Sequence, residues 1–210
     1  MNRVMAALVL GSLILVGATT AGVLLRHDNH DIVRGPATGS YRGSEPPGKI
    51  PLPRFELPRS GGGGLVRSQT LRGRVVLTTF VDSACKDVCP IIVGILGRAL
   101  RQLTSQEREQ FAALAISVHP RVDTPARVRR FLSRHGALGQ LDYLVAPVAR
   151  MKPIWKLFHV LSAAETGDAN LHSADVRIFD RNGVWVSNLN AGADLSVANV
   201  LHDIRQAMKT

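Results

Sequence analysis

The stretch Val75-Val76-Leu77-Thr78-Thr79-Phe80-Val81, followed closely by Cys85-Lys86-Asp87-Val88-Cys89-Pro90-Ile91-Ile92, decides the fold. Seven β-branched or apolar residues in an almost unbroken run describe a strand covered on both faces. The pattern then changes period. Pro90 stands at a first-turn position, where its missing N–H costs nothing, and Ile91, Ile92, Ile95, Leu96 and Leu100 supply apolar positions, so a helix is predicted from Cys89 to Leu103. A buried strand running into an amphipathic helix places the chain in the α/β class.

The alternation continues downstream. Ala112 to Val118 reads as a second buried strand. Thr124 is a helix N-cap with Pro125 at the first helical position, Val128, Phe131 and Leu132 on one face, and Gly136 placed to end it. Leu141 to Val145 is a further short strand, followed by a helical stretch to about Val160 that Pro153 should bend or break. Asp175 to Phe179 and Val184 to Leu189 form a hairpin about Asp180-Arg181-Asn182-Gly183, Asn-Gly being a strong turn signal. An amphipathic helix from Leu195 to Met208, with Val197, Val200, Leu201 and Ile204 inward, closes the chain. This order predicts an α/β sandwich with a mixed sheet.

Upstream, Pro53 to Leu57 and Leu65 to Ser68 alternate apolar and polar on either side of Gly61-Gly62-Gly63-Gly64, the pattern of a β-hairpin preceding the core. Between residues 26 and 64 lie six of the 11 prolines and eight of the 19 glycines. Residues 26–47 read as an extended tether and 48–210 as the domain. From Val4 to Leu25 the chain carries no formal charge, long enough to span a hydrocarbon core of about 30 Å, so residues 1–25 are expected to be a transmembrane helix. A cleaved signal peptide ending near Val16-Gly17-Ala18 is the alternative; the apolar run beyond it favours an uncleaved anchor. The basic N-terminus points to the cytoplasm, which would place the domain on the extracytoplasmic, periplasmic side of the inner membrane.

Composition narrows the function. With 45% hydrophobic and 20% charged residues the chain belongs to the folded class, and two cysteines exclude a disulfide-dense scaffold. Twenty-one of the 26 basic residues are arginine, and the formal net charge is +10. They are scattered among acids, and aromatics are only 5%, which argues against nucleic-acid binding.

Both cysteines fall at the C-terminal end of the first core strand and the start of the first helix, the edge where open α/β sheets bind ligands. Four residues apart, their sulfurs can lie on one side of a turn, allowing a disulfide or shared metal ligation. The helix N-terminus and Lys86 should lower their pKa. A bridge closing so short a loop adds little stability, so chemistry is the better reason for the pair. Two thiolates suit copper(I), zinc or redox exchange, and a mononuclear metal would want another ligand. Of seven histidines, His27 and His30 sit at the anchor's exit, His135 and His202 suit helix positions, and His159 follows Trp155 and Phe158 as a packing residue. His119, closing the second core strand, and His172, before the strand Asp175 to Phe179, remain.

Four segments together resemble a known family. They are Leu71-Arg72-Gly73-Arg74-Val75-Val76-Leu77, Cys85-Lys86-Asp87-Val88-Cys89-Pro90, Ser117-Val118-His119-Pro120-Arg121-Val122-Asp123-Thr124-Pro125, and His172-Ser173 ahead of Ile178-Phe179-Asp180-Arg181-Asn182-Gly183. They are similar to landmarks of the Sco/SenC copper-binding proteins, membrane-anchored thioredoxin-like domains that assist cytochrome c oxidase assembly. The resemblance implies a thioredoxin-like fold and copper, as copper(I) or copper(II), on Cys85, Cys89 and His172. It sets aside His119, which occupies the family's usual aspartate position. Lys86 also replaces a proline, and Leu171 an aspartate.

The resemblance implies a copper metallochaperone rather than an enzyme, delivering copper to the copper-accepting subunit of cytochrome c oxidase. The alternative is a thiol-disulfide oxidoreductase acting on that subunit's cysteines, with Cys85 attacking and Cys89 resolving the mixed disulfide. A peroxide-reducing enzyme shares the layout, but the cysteine surroundings do not resemble that family's.

Overall fold

A computed structural model of the chain describes residues 40–162 and 174–210. The expected anchor over residues 1–25 lies outside them; among the described residues no helix is long and apolar enough to cross a membrane. The elements run β1 (Glu56–Pro58), β2 (Leu65–Arg67), a 3-10 turn (Ser68–Leu71), β3 (Val75–Val81), α1 (Val88–Leu100), α2 (Ser105–Glu109), β4 (Phe111–Ser117), α3 (Pro125–Arg134), β5 (Asp142–Leu144), α4 (Val148–Leu157), β6 (Asp175–Phe179), β7 (Trp185–Asn190) and α5 (Val197–Ala207).

Five strands make one mixed sheet in the order β5-β4-β3-β6-β7. β3, β4 and β5 are parallel, and β6 and β7 add antiparallel strands beside β3. The all-buried pattern of β3 and β4 follows from cover on both faces. Val75, Leu77 and Val81 meet α1, α3 and α5 on one side. Val76 and Phe80 meet the β1–β2 hairpin and α4, including Met151 and Trp155, on the other. This is a thioredoxin-like α/β arrangement with the expected mixed sheet and preceding hairpin.

Turns and caps fix the element ends where the sequence placed them. The Thr124 hydroxyl accepts the Arg127 N–H, Pro125 is the first helical residue, and Gly136 follows α3 with φ +65°. The Asn182-Gly183 turn closes on Asp180, whose carbonyl accepts the Gly183 N–H at 2.9 Å, with Gly183 at φ +75°. α4 continues through Pro153. α2 is an element sequence periodicity did not reveal, because five residues hold too little pattern; its Thr104–Glu107 capping box is complete. Two side chains face solvent instead of packing. Ile91 is 54% exposed, because it lies on the outer side of α1. His159 is exposed with φ +51°, so it serves the turn after α4 rather than packing.

Both sheet edges are covered. The hairpin side reaches β5 through Ser60 N–H to Tyr143 O at 2.7 Å and Val145 N–H to Pro58 O at 3.2 Å. At β7, Ser44 exchanges backbone bonds with Asn188, and Ile50 O accepts the Trp185 N–H. Residues 41–44, assigned from sequence to the tether, are thus part of the packed structure. The buried Asp203 carboxylate on α5 draws them in, accepting the Arg42 N–H at 2.8 Å, the Gly43 N–H at 2.9 Å and the Ser187 hydroxyl at 2.6 Å. Asp203→Ala leaves these buried donors unsatisfied and is predicted to lower unfolding free energy by about 2–4 kcal/mol in urea titrations. Faster hydrogen exchange at Gly43 would accompany it; an unchanged Gly43 amide would show that the clamp is unimportant.

Candidate functional site

The site forms where β3 leaves the sheet. Asp82, without accessible surface, turns the chain: its carboxylate accepts the Ala84 N–H at 2.7 Å and its carbonyl the Cys85 N–H at 3.2 Å. Its second carboxylate oxygen lies 2.9 Å from His119 Nδ1, at the end of β4. Its backbone N–H points at Cys89 Sγ, 3.5 Å away. Two neighbouring strand ends and the first turn of α1 are therefore tied through one residue. Sequence reading passed over Asp82, although a carboxylate directly after a buried apolar strand, followed by serine, is the signal of an Asx-type turn.

A second carboxylate braces the same edge from beneath. Buried Asp123 accepts the Ser83 N–H at 3.0 Å, the Ser83 hydroxyl, the Ser117 hydroxyl and, at 2.7 Å, the Tyr143 hydroxyl. Burial pushes its pKa up, against the downward pull of those donors. Burial and the Asp123 charge likewise push up the Tyr143 phenol, which stays a donor.

The two cysteines come together but are unlike. Cys85 is half-buried at the end of the Asp82 turn; Cys89, in the first turn of α1, has no accessible surface, and no disulfide joins them. Burial pushes the Cys89 thiol well above the ordinary range. The Asp82 N–H opposes this, while the Cys85 side chain and the Asp82 charge add to it. The lowered pKa expected from the helix N-terminus is thus overturned at Cys89, because desolvation outweighs the dipole.

His119 faces Asp82 rather than completing a sulfur site. Among the described residues no group of three or more His, Cys, Asp or Glu is gathered to hold a metal ion. His172 and Leu171 lie outside the described residues, as do His27 and His30. His135 caps α3 with its ring 5.0 Å from that of Phe131, and His202 pairs with Asp203 at 2.8 Å.

A thioredoxin-like sheet with two adjacent thiols where its central strand passes into a helix defines a thiol-bearing α/β domain. Comparison supplies the family: residues 47–209 match the SCO1/SenC family model, and the chain belongs to that family. A protein of Stutzerimonas stutzeri named for copper binding is 29% identical over 127 residues, covering 59% of this chain; the chain spans 62% of that relative's length. The fold is similar to apo Sco1 of Thermus thermophilus, with a TM-score of 0.64 at 21% identity, covering 82% of this chain and 99% of that one. It is also similar to copper-bound ScoI of Bradyrhizobium japonicum, with a TM-score of 0.58 at 24% identity, covering 76% of this chain and all of that one.

Two measurements follow from this geometry. Brief alkylation of the reduced protein, followed by peptide mass spectrometry, should modify Cys85 about tenfold or more ahead of Cys89, since burial closes Cys89 to the reagent and holds its thiol protonated; equal labelling would contradict the burial of Cys89. Asp123 binds its proton more tightly folded than unfolded. Its contribution is therefore present at low pH and lost as pH rises from about 3.9 through its elevated folded pKa. Relative to Asp123→Asn, the wild type should lose stability across that window, by at most about 1.4 kcal/mol per pH unit. A pH-independent difference in urea titrations would refute the assignment.

Proposed function

We propose that this protein is a copper metallochaperone that holds copper on Cys85, Cys89 and His172 and passes it by ligand exchange to the copper-accepting subunit of cytochrome c oxidase. The observation that carries this reading is the adjacent pair of unlike sulfurs, one reachable and one buried, at the start of α1 in a SCO1/SenC member. The donor chemistry fits: two soft sulfurs favour copper(I), and an imidazole helps accommodate copper(II). His172 is carried by the family resemblance. The oxidase subunit enters on the same ground; an anchor at residues 1–25 with the domain on the extracytoplasmic side rests on the uncharged run from Val4 to Leu25 and the basic N-terminus before it.

The sulfurs divide the work. Buried Cys89 is shielded from competing thiols and stays with the domain, and half-exposed Cys85 is the sulfur an acceptor can reach. Copper must displace the Cys89 proton, so uptake is coupled to proton release. Asp82 positions both sulfurs, through the turn leading to Cys85 and the N–H facing Cys89.

The same asymmetry suits the second reading, thiol-disulfide exchange in which Cys85 attacks and Cys89 resolves. The raised Cys89 pKa weighs against it, because a resolving thiol kept protonated is a slow nucleophile. A metal competes directly with that proton for the sulfur.

The full-length chain, purified under reducing conditions, is expected to load about one copper(I) per chain. Cys85→Ser and Cys89→Ser should reduce loading to near none, and His172→Ala should leave it below stoichiometric. Disulfide reductase rates of the same samples provide the comparison. A chain that takes up no copper yet reduces disulfides at an undiminished rate would replace this reading with the second.

A further inference from the structure

α3 carries Arg127, Arg130 and Arg134 along one side, facing the Cys85 loop across an open groove of about 570 Å³. Lys86 and His135 complete its basic lining, and among the described residues no Asp or Glu lines it. The four Lys and Arg residues are exposed, and none has a carboxylate partner among the described residues. Arg59, Arg67 and Arg205 are each tied to an acid within 3 Å; Arg54, Arg72 and Arg181 have none among the described residues either, but it is the α3 row that lines the groove of Cys85.

This placement opposes the stability of α3. Arg127 sits in the first turn, which holds no acidic residue, at the positive end of the helix dipole. Arg127–Arg130 and Arg130–Arg134 are like-charge neighbours three and four positions apart, so each pair is repulsive. An anionic partner seated in the groove would relieve all three terms. Its shape is also indicated. The three arginines recur as a row at intervals of about 5–6 Å between Cβ atoms, and none is buried. A compact anion wants converging donors; alternate side chains of an extended strand, about 6.6 Å apart, match a row.

We propose that this groove docks an acidic, extended segment of the protein that receives copper from Cys85. The proposal rests on the metallochaperone reading and adds the recognition chemistry. Docked there, the acceptor's thiol lies beside the reachable sulfur. A copper–sulfur bond to the acceptor forms as the bond to Cys85 breaks; the acceptor thiol's proton leaves to solvent and the Cys85 sulfur takes one back. Copper keeps its oxidation state, so no oxidant or reductant enters.

The test uses the reduced, metal-free, full-length chain, so that its outcome is independent of copper loading. The probe is a ten-residue peptide of alternating glutamate and serine with one central cysteine, beside its glutamine counterpart, with binding read by fluorescence anisotropy. The glutamate peptide should bind more tightly than the glutamine one, weaken as salt is raised, and lose about tenfold or more in affinity to R127E/R130E/R134E. The triple Arg→Gln variant should lose part of that, which guards against misfolding of the reversed one. R54E/R72E/R181E, an equal charge change near the opposite end of β3, should stay within about twofold. Equal binding of the two peptides, equal losses in both reversed triples, undiminished binding to the groove variants, or inorganic phosphate displacing the peptide at comparable concentration would each overturn the proposal. Failure of copper loading in the wild type, measured separately, would instead overturn the reading beneath it.

Discussion

Three strands end around a single buried carboxylate. Asp123 takes donors from Ser83 just beyond β3, from Ser117 at the end of β4 and from Tyr143 on β5. No cation accompanies it among these contacts, and an ionised group in such a place survives only when its lone pairs are filled. Those donors must therefore stay in register, and with them the ends of the parallel strands. Cys85 stands two residues beyond Ser83, so the position of the reachable sulfur is inherited from this cluster. The Asp82–His119 pair repeats the arrangement one layer outward, joining the same two strand ends at 2.9 Å.

On that frame, the contrast between the sulfurs is a contest of two terms with different magnitudes. A helix N-terminus contributes about 0.3–1 kcal/mol to a nearby anion, rarely about 2. Complete burial moves a thiol by several pKa units, each worth about 1.4 kcal/mol. Cys89 is wholly buried, and desolvation prevails there; Cys85, a turn earlier, is only half-buried. A pair that looks equivalent in the sequence thus becomes one sulfur fitted for retention and one for exchange, with Asp82 touching the setting of both.

Legibility from the sequence follows the range of the interactions. Thr124-Pro125, Asn182-Gly183 and the apolar run of β3 act over a few residues, and the structure keeps them. Interactions joining distant residues had no local signature: Asp82 with His119 across 37 positions, and Asp203 with the Gly43 N–H across 160. Hence the two carboxylates that organise the site and the early segment went unread, and His119 was weighed as a ligand when its partner is an acid. Ile91 fits the helical pattern but lies outside the apolar stripe, because α1 buries Ile92, Val93 and Leu96 instead. The proposed third ligand, His172, rests on family resemblance alone. No spacing rule links His172 to a cysteine pair more than 80 residues earlier.

The positive charge acquires a location by the same reasoning. A net charge of +10 spread over a surface raises association with any acidic partner and selects no orientation. Pairing changes that. Acids hold Arg59, Arg67 and Arg205 in place, while the α3 row beside Cys85 has none among the described residues and begins with Arg127 at the positive end of its helix dipole. Because both sheet edges are already occupied, by the hairpin side and by residues 44–50, backbone pairing with another chain is blocked along the sheet. What remains for recognition at this end of the molecule is side-chain charge around a half-exposed sulfur. In the docking proposed above, the surface that attracts an acidic partner is also the surface that orients it toward Cys85.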